Sequence, residues 1–408
     1  MNKELTMVKS SLASKWELKK LGEVCSFQGG SQPPKSQFIY EKRDGYVRFL
    51  QIRDFKSDKN ITYIPESPKN RFCSDDDILL GRYGASVGKV LINKTGAYNV
   101  AVMKTIPDEK VLFKRYLFFY FTSKDFQNRL ENVASRSAQN GFSKSDIFDF
   151  PILVPPLTQQ KQIVATLDKA FAAIDTAKAN AVQNLQNAKE LFENTLQILF
   201  DNKNWEHKKL GEIASFKNGM NFTKSSKGQS IEIVGVKNFK NKFWVPFEEL
   251  ETVILDGEMS EGYQLKKGDI ITVRSNGNPK LIGRTLLADE VNGNVSHSGF
   301  TIRIRLNSST ILPVFLCHYL KTAKTRKELV DSGNGVGIKS LNQGSLSSLM
   351  IPFPKSIEEQ KQIVKKLGAL SLETKKLEAI YTQKITDLEE LKKSILQKAF
   401  SGQLNTLN

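Results

Sequence analysis

Cysteine is scarce. The 408 residues contain three, Cys25, Cys73 and Cys317, far apart and without a CxxC pair. An odd count at that spacing argues against a disulfide framework and predicts three structural thiols in a reducing, cytoplasmic compartment. Histidine is as rare. His207, His297 and His318 have no metal-ligand spacing among themselves or with cysteine, so no metal centre is expected. Each reads as structural, although His297 lies in a candidate contact segment. No apolar run approaches the ~18 residues of a membrane span, and residues 1–15 lack the apolar core of a signal peptide. No membrane association is therefore expected.

Catalytic constellations are missing too. There is no GxSxG nucleophile elbow. Gly81 to Lys89 superficially resembles a phosphate loop, but it lacks the GxxxxGK[ST] spacing, and Val90 stands where a magnesium-binding hydroxyl is needed. A lysine-glycine turn in a binding loop is the alternative. Asp75-Asp76-Asp77 reads either as a cation chelate or as a solvated turn before a strand. These absences point to a binding component and not to an enzyme.

What the chain does have is a repeat. Gln160-Lys161-Gln162-Ile163-Val164 recurs as Gln360-Lys361-Gln362-Ile363-Val364. Each copy opens a proline-free periodic run that ends at Phe200 or at Phe400. In the first run Ile163, Leu167, Ala170, Ile174, Ala177, Ala181, Ala188, Phe192, Thr195 and Leu199 keep 3–4 spacing, with a gap at Asn184. In the second, Ile363, Leu367, Leu370, Thr374, Leu377, Tyr381, Leu388, Leu391, Ile395 and Ala399 do the same, with a gap at Lys384. Such a stripe predicts a coiled-coil seam. At about 1.5 Å per residue each run would be a rod of roughly 65 Å. The rod needs a partner, and the other copy is the obvious one. Two independent helices, each packed on its own domain, are the alternative.

The net charge of +17 is unevenly placed. Residues 157–200 are neutral and residues 356–400 carry +2, whereas residues 16–156 carry +6 and residues 201–355 carry +7. Two basic domains joined by near-neutral rods are the footprint expected of a polyanion binder.

The domains repeat as well. Trp16-Glu17-Leu18-Lys19-Lys20-Leu21-Gly22-Glu23 returns as Trp205-Glu206-His207-Lys208-Lys209-Leu210-Gly211-Glu212. Strand-like runs at Tyr46–Ile52 and Asp77–Leu80 correspond to Ile231–Val236 and Asp269–Val273. Glycine loops follow, then an aromatic helix at Arg115–Phe121 or Val314–Leu320. A polar glycine loop comes next at Ser137–Gly141 or Ser332–Gly337, and then a last strand at Asp149–Pro156 or Met350–Pro354. Prolines exclude helix before Thr158 and Ile357. The fold class is therefore α+β, with strand-rich domains in tandem. The expected segments are a lead-in (1–15), a first recognition domain (16–156), a first long helix (157–200), a second recognition domain (201–355), and a second long helix with its tail (356–408). The shared frame carries divergent middle loops, as suits two different binding specificities.

This layout resembles the specificity (S) subunits of type I restriction-modification systems over nearly the whole chain. The resemblance rests on the tandem order and on the Trp-x-x-x-x-Leu-Gly-Glu start at Trp16 and Trp205. It rests also on the hand-overs at Gln159–Val164 and Glu358–Val364, and on the closing Leu391–Leu404 segment. It implies two target-recognition domains, each reading one half of a bipartite, asymmetric site on double-stranded DNA. An antiparallel, pseudo-twofold helix pair would set the spacer. Partners would be two methyltransferase subunits forming an adenine methylase, and two motor-nuclease subunits. S-adenosylmethionine, ATP and Mg2+ would be bound by those partners and not by this chain, which has no Asn-Pro-Pro-Tyr-like motif and no helicase motif. A coiled-coil adaptor with basic domains binding RNA or acidic proteins is the alternative, and an unrecognised DNA-modifying enzyme is a third reading.

Base readout calls for arginine, amide and hydroxyl side chains in loops, with lysines and arginines on phosphates. Loop position and residue type select Arg82, Tyr83, Ser86, Lys89, Arg136, Gln139 and Asn140 in the first domain. In the second they select Arg274, Asn276, Asn278, Lys280, Arg284, His297 and Asn334.

Overall fold

A computed structural model describes residues 16–136, 140–202, 204–223, 227–240, 242–331 and 340–404. The lead-in, Gln139 and Asn334 lie outside the described residues.

The first half of the chain runs β1 (Glu17–Lys20), α1 (Leu21–Val24), β2 (Cys25–Gly29), β3 (Tyr46–Leu50), β4 (Tyr63–Pro65), β5 (Phe72–Cys73), β6 (Ile78–Gly81), β7 (Val90–Leu91), β8 (Gly96–Tyr98), β9 (Val102–Pro107), α2 (Lys114–Thr122), α3 (Lys124–Ala134), α4 (Lys144–Phe148), β10 (Pro151–Val154) and α5 (Leu157–Phe200). The second half runs β11 (Glu206–Lys209), α6 (Leu210–Ile213), β12 (Ala214–Asn218), β13 (Ser230–Val234), β14 (Glu251–Ile254), β15 (Ile270–Val273), β16 (Thr285–Leu287), β17 (Val295–His297), β18 (Thr301–Leu306), α7 (Pro313–Leu320), α8 (Ala323–Asp331), α9 (Gln343–Ser348), β19 (Met350–Phe353) and α10 (Ile357–Phe400). Both long helices have 44 residues, as the repeat predicts. The first begins at Leu157, one residue earlier than the prolines suggest.

The chain divides into two compact units. One takes the chain up to Ala181 and from Gln383 onward, and the other is Val182–Thr382.

In the first unit β1 pairs antiparallel with β10, zipping the start of the domain to its end. One sheet has the order β2-β9-β6-β7 and is antiparallel throughout. The other has the order β4-β3-β8-β5, with β3 and β8 parallel. The motif glycine Gly22 is required by close approach, since a Cβ there would lie 2.1 Å from the Phe148 ring. The core gathers Leu21, Tyr116, Leu117, Phe121 and Phe126, and extends onto Ile163 and Leu167 of α5 and Leu396 and Ala399 of α10. The Phe400 ring lies 4.9 Å from Tyr116 and 5.9 Å from Tyr120. Asp175 pairs with Lys392 at 2.8 Å and Lys178 with Glu389 at 2.6 Å. Three residues forward in α5 match three backward in α10, so the helices are antiparallel here. Pairing, the first of the two readings, is what this unit shows.

The second unit is built the same way. β11 pairs with β19, β12-β18-β15-β16 form an antiparallel sheet, and β14-β13-β17 form a smaller one with β13 and β17 parallel. Gly211 repeats the close approach, with a Cβ there falling 2.0 Å from Ser347 Oγ. Leu196 and Phe200 of α5 and Ile363 and Leu367 of α10 complete the core around Phe315 and Leu316. Phe200 sits 5.0 Å from Phe315 and 5.3 Å from Tyr319, repeating the role of Phe400.

The helical stripe needs correction in places. Leu377 is 37% exposed and Leu391 47% exposed, so neither lies in the seam. Ile385, next to the gap at Lys384, is half-buried, as is Leu185 next to the gap at Asn184. Continuous 3.5-residue spacing carries the seam through these positions and past Leu391.

Candidate nucleic-acid interface

In the first domain three chain segments meet at the end of the β2-β9-β6-β7 sheet. Arg82 follows β6, and its backbone N–H donates to Ala101 O while its carbonyl accepts from Phe142 N. Its guanidinium is half-buried, with Nε 3.2 Å from Phe142 O and Nη1 3.3 Å from Val100 O. It also stacks 5.0 Å from the centre of the Tyr83 ring. Tyr83, partly exposed, bridges to Gly141. Gly84 N donates to the carbonyl of exposed Asn140, whose φ of 44° is left-handed and easier for asparagine than for most residues. Ser86 Oγ donates to Tyr83 O at 2.6 Å. Lys89 and Arg136 are exposed, on the same loop and at the end of α3 respectively. The structure thus brings Arg82, Tyr83, Ser86 and Asn140 together, and Arg82 spends part of its hydrogen-bonding capacity holding the neighbouring loops.

The second domain repeats this backbone frame. Arg274 N donates to Phe300 O and its carbonyl accepts from Leu341 N, and Ser275 bridges to Ser340 as Tyr83 does to Gly141. From Arg274 the segment runs through two stacked asparagine turns. Asn276 Oδ1 accepts from Asn278 N at 2.9 Å, and Asn278 Oδ1 accepts from Lys280 N at 3.1 Å. Asn276 is half-exposed, and Asn278 and Lys280 are exposed. Arg284 is half-buried and bonded to main-chain carbonyls.

His297 does not belong with them. It is fully buried in β17, with Nδ1 2.9 Å from Thr301 Oγ1. The Thr301 hydroxyl donates to Ser298 O, so the histidine must donate to it, leaving Nε2 unprotonated and without a partner. Burial, then the nearby Arg303, Arg305 and Lys217, push its pKa down to about 3. The sequence placed it near the contact loop, but the parallel pairing of β17 on β13 turns it inward.

Two residues that sequence reasoning missed stand beside Asn276. A cleft of about 430 Å3 is lined by Phe222, Phe300, Ser275, Asn276, Gly277 and Ser298, among others. Phe300 is 61% exposed and Phe222 38%. Ser298 is buried, with its Oγ unpartnered. The positions that match these phenylalanines in the first domain, by alignment on Gly30/Gly219 and on Val102/Thr301, are Pro33 and Ala101. Phenylalanine among polar and glycine residues, as in Asn221-Phe222-Thr223 and Ser298-Gly299-Phe300, is the signal the sequence carries, because apolar side chains of that size are normally buried. Among the described residues, no group of three or more His, Cys, Asp or Glu side chains could hold a metal ion.

The sequence pattern of the family described as "Type I restriction modification DNA specificity domain" matches residues 13–184 and again 202–387. The chain belongs to that family. It is similar to the StySPI type I restriction enzyme specificity subunit of Salmonella potsdam, with 24% identity over 98% of this chain and 91% of that protein. It is similar also to the MjaVIII specificity subunit of Methanocaldococcus jannaschii, with 24% identity over 96% of this chain and 94% of that one. The fold resembles the HsdS subunit from Thermoanaerobacter tengcongensis, with TM-score 0.60 and 18% identity over 96% of this chain and 98% of that one. A chain from a structural study of complex assembly and conformational transition of the type I R-M system gives TM-score 0.77 and 17% identity, covering 97% of this chain and all of that one. The two matched segments of this specificity subunit correspond to its two strand-rich domains, each with part of a long helix. Among the described residues no helix is long and apolar enough to cross a membrane.

Proposed function

We propose that the two domains read the two halves of a bipartite, asymmetric DNA sequence. The carrying observation is one backbone frame with two different displays. Arg82 and Arg274 make the same main-chain bonds in their own domains. Around Arg82 the frame presents Tyr83, Ser86 and Asn140, with exposed Lys89 on the same loop and exposed Arg136 at the end of α3. Around Arg274 it presents Asn276, Asn278 and Lys280, flanked by Phe222 and Phe300. Arginine and amides can discriminate base edges in the major groove, and phenyl rings offer apolar contact to a thymine methyl. Gln139 and Asn334 complete the proposed set. Different side chains on one frame give different half-sites.

The two long helices set the nonspecific spacer and dock two methyltransferase subunits, and two motor-nuclease subunits complete the restriction assembly. This chain is the non-catalytic reader of that assembly. S-adenosylmethionine, ATP and Mg2+ bind to the partners. The test is co-expression with the neighbouring methyltransferase subunit and mapping of methylated adenines across the host genome. One bipartite motif with a fixed spacer is the expected result. A soluble, co-purifying complex that adds no methylation would contradict the proposal.

A further inference from the structure

The second unit holds a group of cations that, among the described residues, make no ion pair with a carboxylate. Arg284 Nε and Arg326 Nη2 converge on a single acceptor, the carbonyl of Lys280, at 3.3 and 2.9 Å. Arg284 Nη1 donates to Phe239 O, and Arg326 Nε is buried with no partner. Beside them Lys321 Nζ donates to Lys242 O and Thr285 O and lies 5.4 Å from the centre of the Phe243 ring. Among the described residues none of Arg284, Lys321, Arg326 and exposed Lys375 pairs with a carboxylate. Elsewhere in the same domain a half-buried arginine is treated differently, since Arg305 makes a bidentate pair with Asp269 at 2.6 and 2.7 Å. Burial lowers the pKa of both Lys321 and Arg326. Neighbouring cations lower them further, with Arg284, Arg326 and Lys375 acting on Lys321 and Arg284 acting on Arg326. Glu193 on α5 opposes this for Arg326, and Cys317 for Lys321.

Gathering like charges in a half-buried place costs stability unless an anion joins them. Each guanidinium has five N–H donors, and carbonyls here occupy only two from Arg284 and one from Arg326. The remaining fork suits the tetrahedral oxygens of a phosphate. The location narrows the source. The Lys280 carbonyl closes the segment that displays Asn276 and Asn278.

We propose that Arg284 and Arg326 form a seat for a DNA backbone phosphate beside the base-reading segment of the second domain. Arg284 is thereby a backbone contact and not a base reader. The proposal rests on the reading of this chain as a sequence-specific DNA binder. A phosphate seat fixes register on the duplex and carries no sequence information.

The experiment uses the chain assembled with its methyltransferase partner and a duplex that carries the mapped site. Affinity is measured against salt concentration for the wild type, Arg326→Gln and Arg284→Gln, and the methylated motif is mapped for each. Loss of one phosphate contact reduces the slope of log affinity against log salt by about 0.9. The expected result is that reduction for Arg326→Gln, a reduction in the same direction for Arg284→Gln, and an unchanged motif for both. Arg284 lies in the loop before β16, so its variant decides the matter if Arg326→Gln fails to fold. An unchanged slope in both variants overturns the proposal. An altered motif at unchanged slope also overturns it and makes the arginines positioning residues for the segment. If the wild-type complex shows no site preference at all, the underlying reading fails instead.

Discussion

Gln160 and Gln360 repeat one another bond for bond. Gln160 Oε1 accepts from Phe113 N at 2.8 Å, and its Nε2 donates to Val111 O and Pro155 O at 2.8 and 2.7 Å. Gln360 Oε1 accepts from Leu312 N at 2.9 Å, and its Nε2 donates to Thr310 O and Pro354 O at 2.8 and 3.0 Å. Both side chains are fully buried. Each glutamine ties the first turn of a long helix to two loops of the domain before it.

Gln160→Leu strands one buried N–H and two carbonyls. At about 1–3 kcal/mol for an unsatisfied buried group, partly relieved by relaxation, the expected cost is about 3 kcal/mol. Gln360→Leu costs as much in the other unit. Urea unfolding of each variant checks this, and a loss below about 0.5 kcal/mol, within the range of an ordinary surface change, would rule out the anchoring role.

Phe200 and Phe400 close the cores of opposite domains from the far ends of the helices. Truncating either to alanine removes a ring packed on two aromatic neighbours and costs about 3 kcal/mol. Hydrogen exchange should localise the Phe400→Ala loss to the first unit and the Phe200→Ala loss to the second. Equal loosening of both units in either variant would show that the two cores are not separately closed.

All three histidines of the chain lie in the second unit. Burial holds His297 at about 3 and, together with Lys321, holds His318 at about 4. Both lie below the unfolded value near 6.5. The unfolded chain therefore binds protons between pH 6.5 and these values that the folded chain does not. Stability is complete above pH 6.5 and falls as pH drops through this window. At pH 5 the loss is about 2 kcal/mol for His297. Thermal unfolding at pH 7 and pH 5 should show the loss in the second unit, and His297→Asn should reduce it. A pH response confined to the first unit would refute this.

Lys365 and Lys366 are exposed on α10. Reversing both to glutamate should weaken co-purification with the methyltransferase subunit and leave urea unfolding of the isolated chain nearly unchanged. Undiminished co-purification would remove this face from the docking surface.

Much of the architecture was legible because it is written in length and repetition. A proline-free run of 44 residues ending in Phe200 or Phe400 admits little but a helix. Trp16 and Trp205 mark where each domain begins. Other features depend on partners distant in sequence. The three bonds of Gln160 need carbonyls and an amide from two loops, so its motif marks a helix opening and a family hand-over but does not reveal the anchor. His297 sits among loop-forming residues, and only its strand pairing buries it. Phe222 and Phe300 were passed over because a search for polar readers ignores phenyl rings. Leu391 was assigned to the seam by local spacing, whereas the continuous helix turns it outward. Loop position and residue type single out Arg82, but its bonds to the Val100 and Phe142 carbonyls cannot be read from residue type.

The central claim is that each domain reads its own half of the site. The most direct measurement is methylome mapping of two variants, Tyr83→Ala and Asn276→Ala, each co-expressed with the methyltransferase subunit. Tyr83→Ala should relax or abolish only one half of the bipartite motif, Asn276→Ala should affect only the other half, and the spacer should stay fixed in both. Either variant altering both halves, or both variants altering the same half, would contradict it.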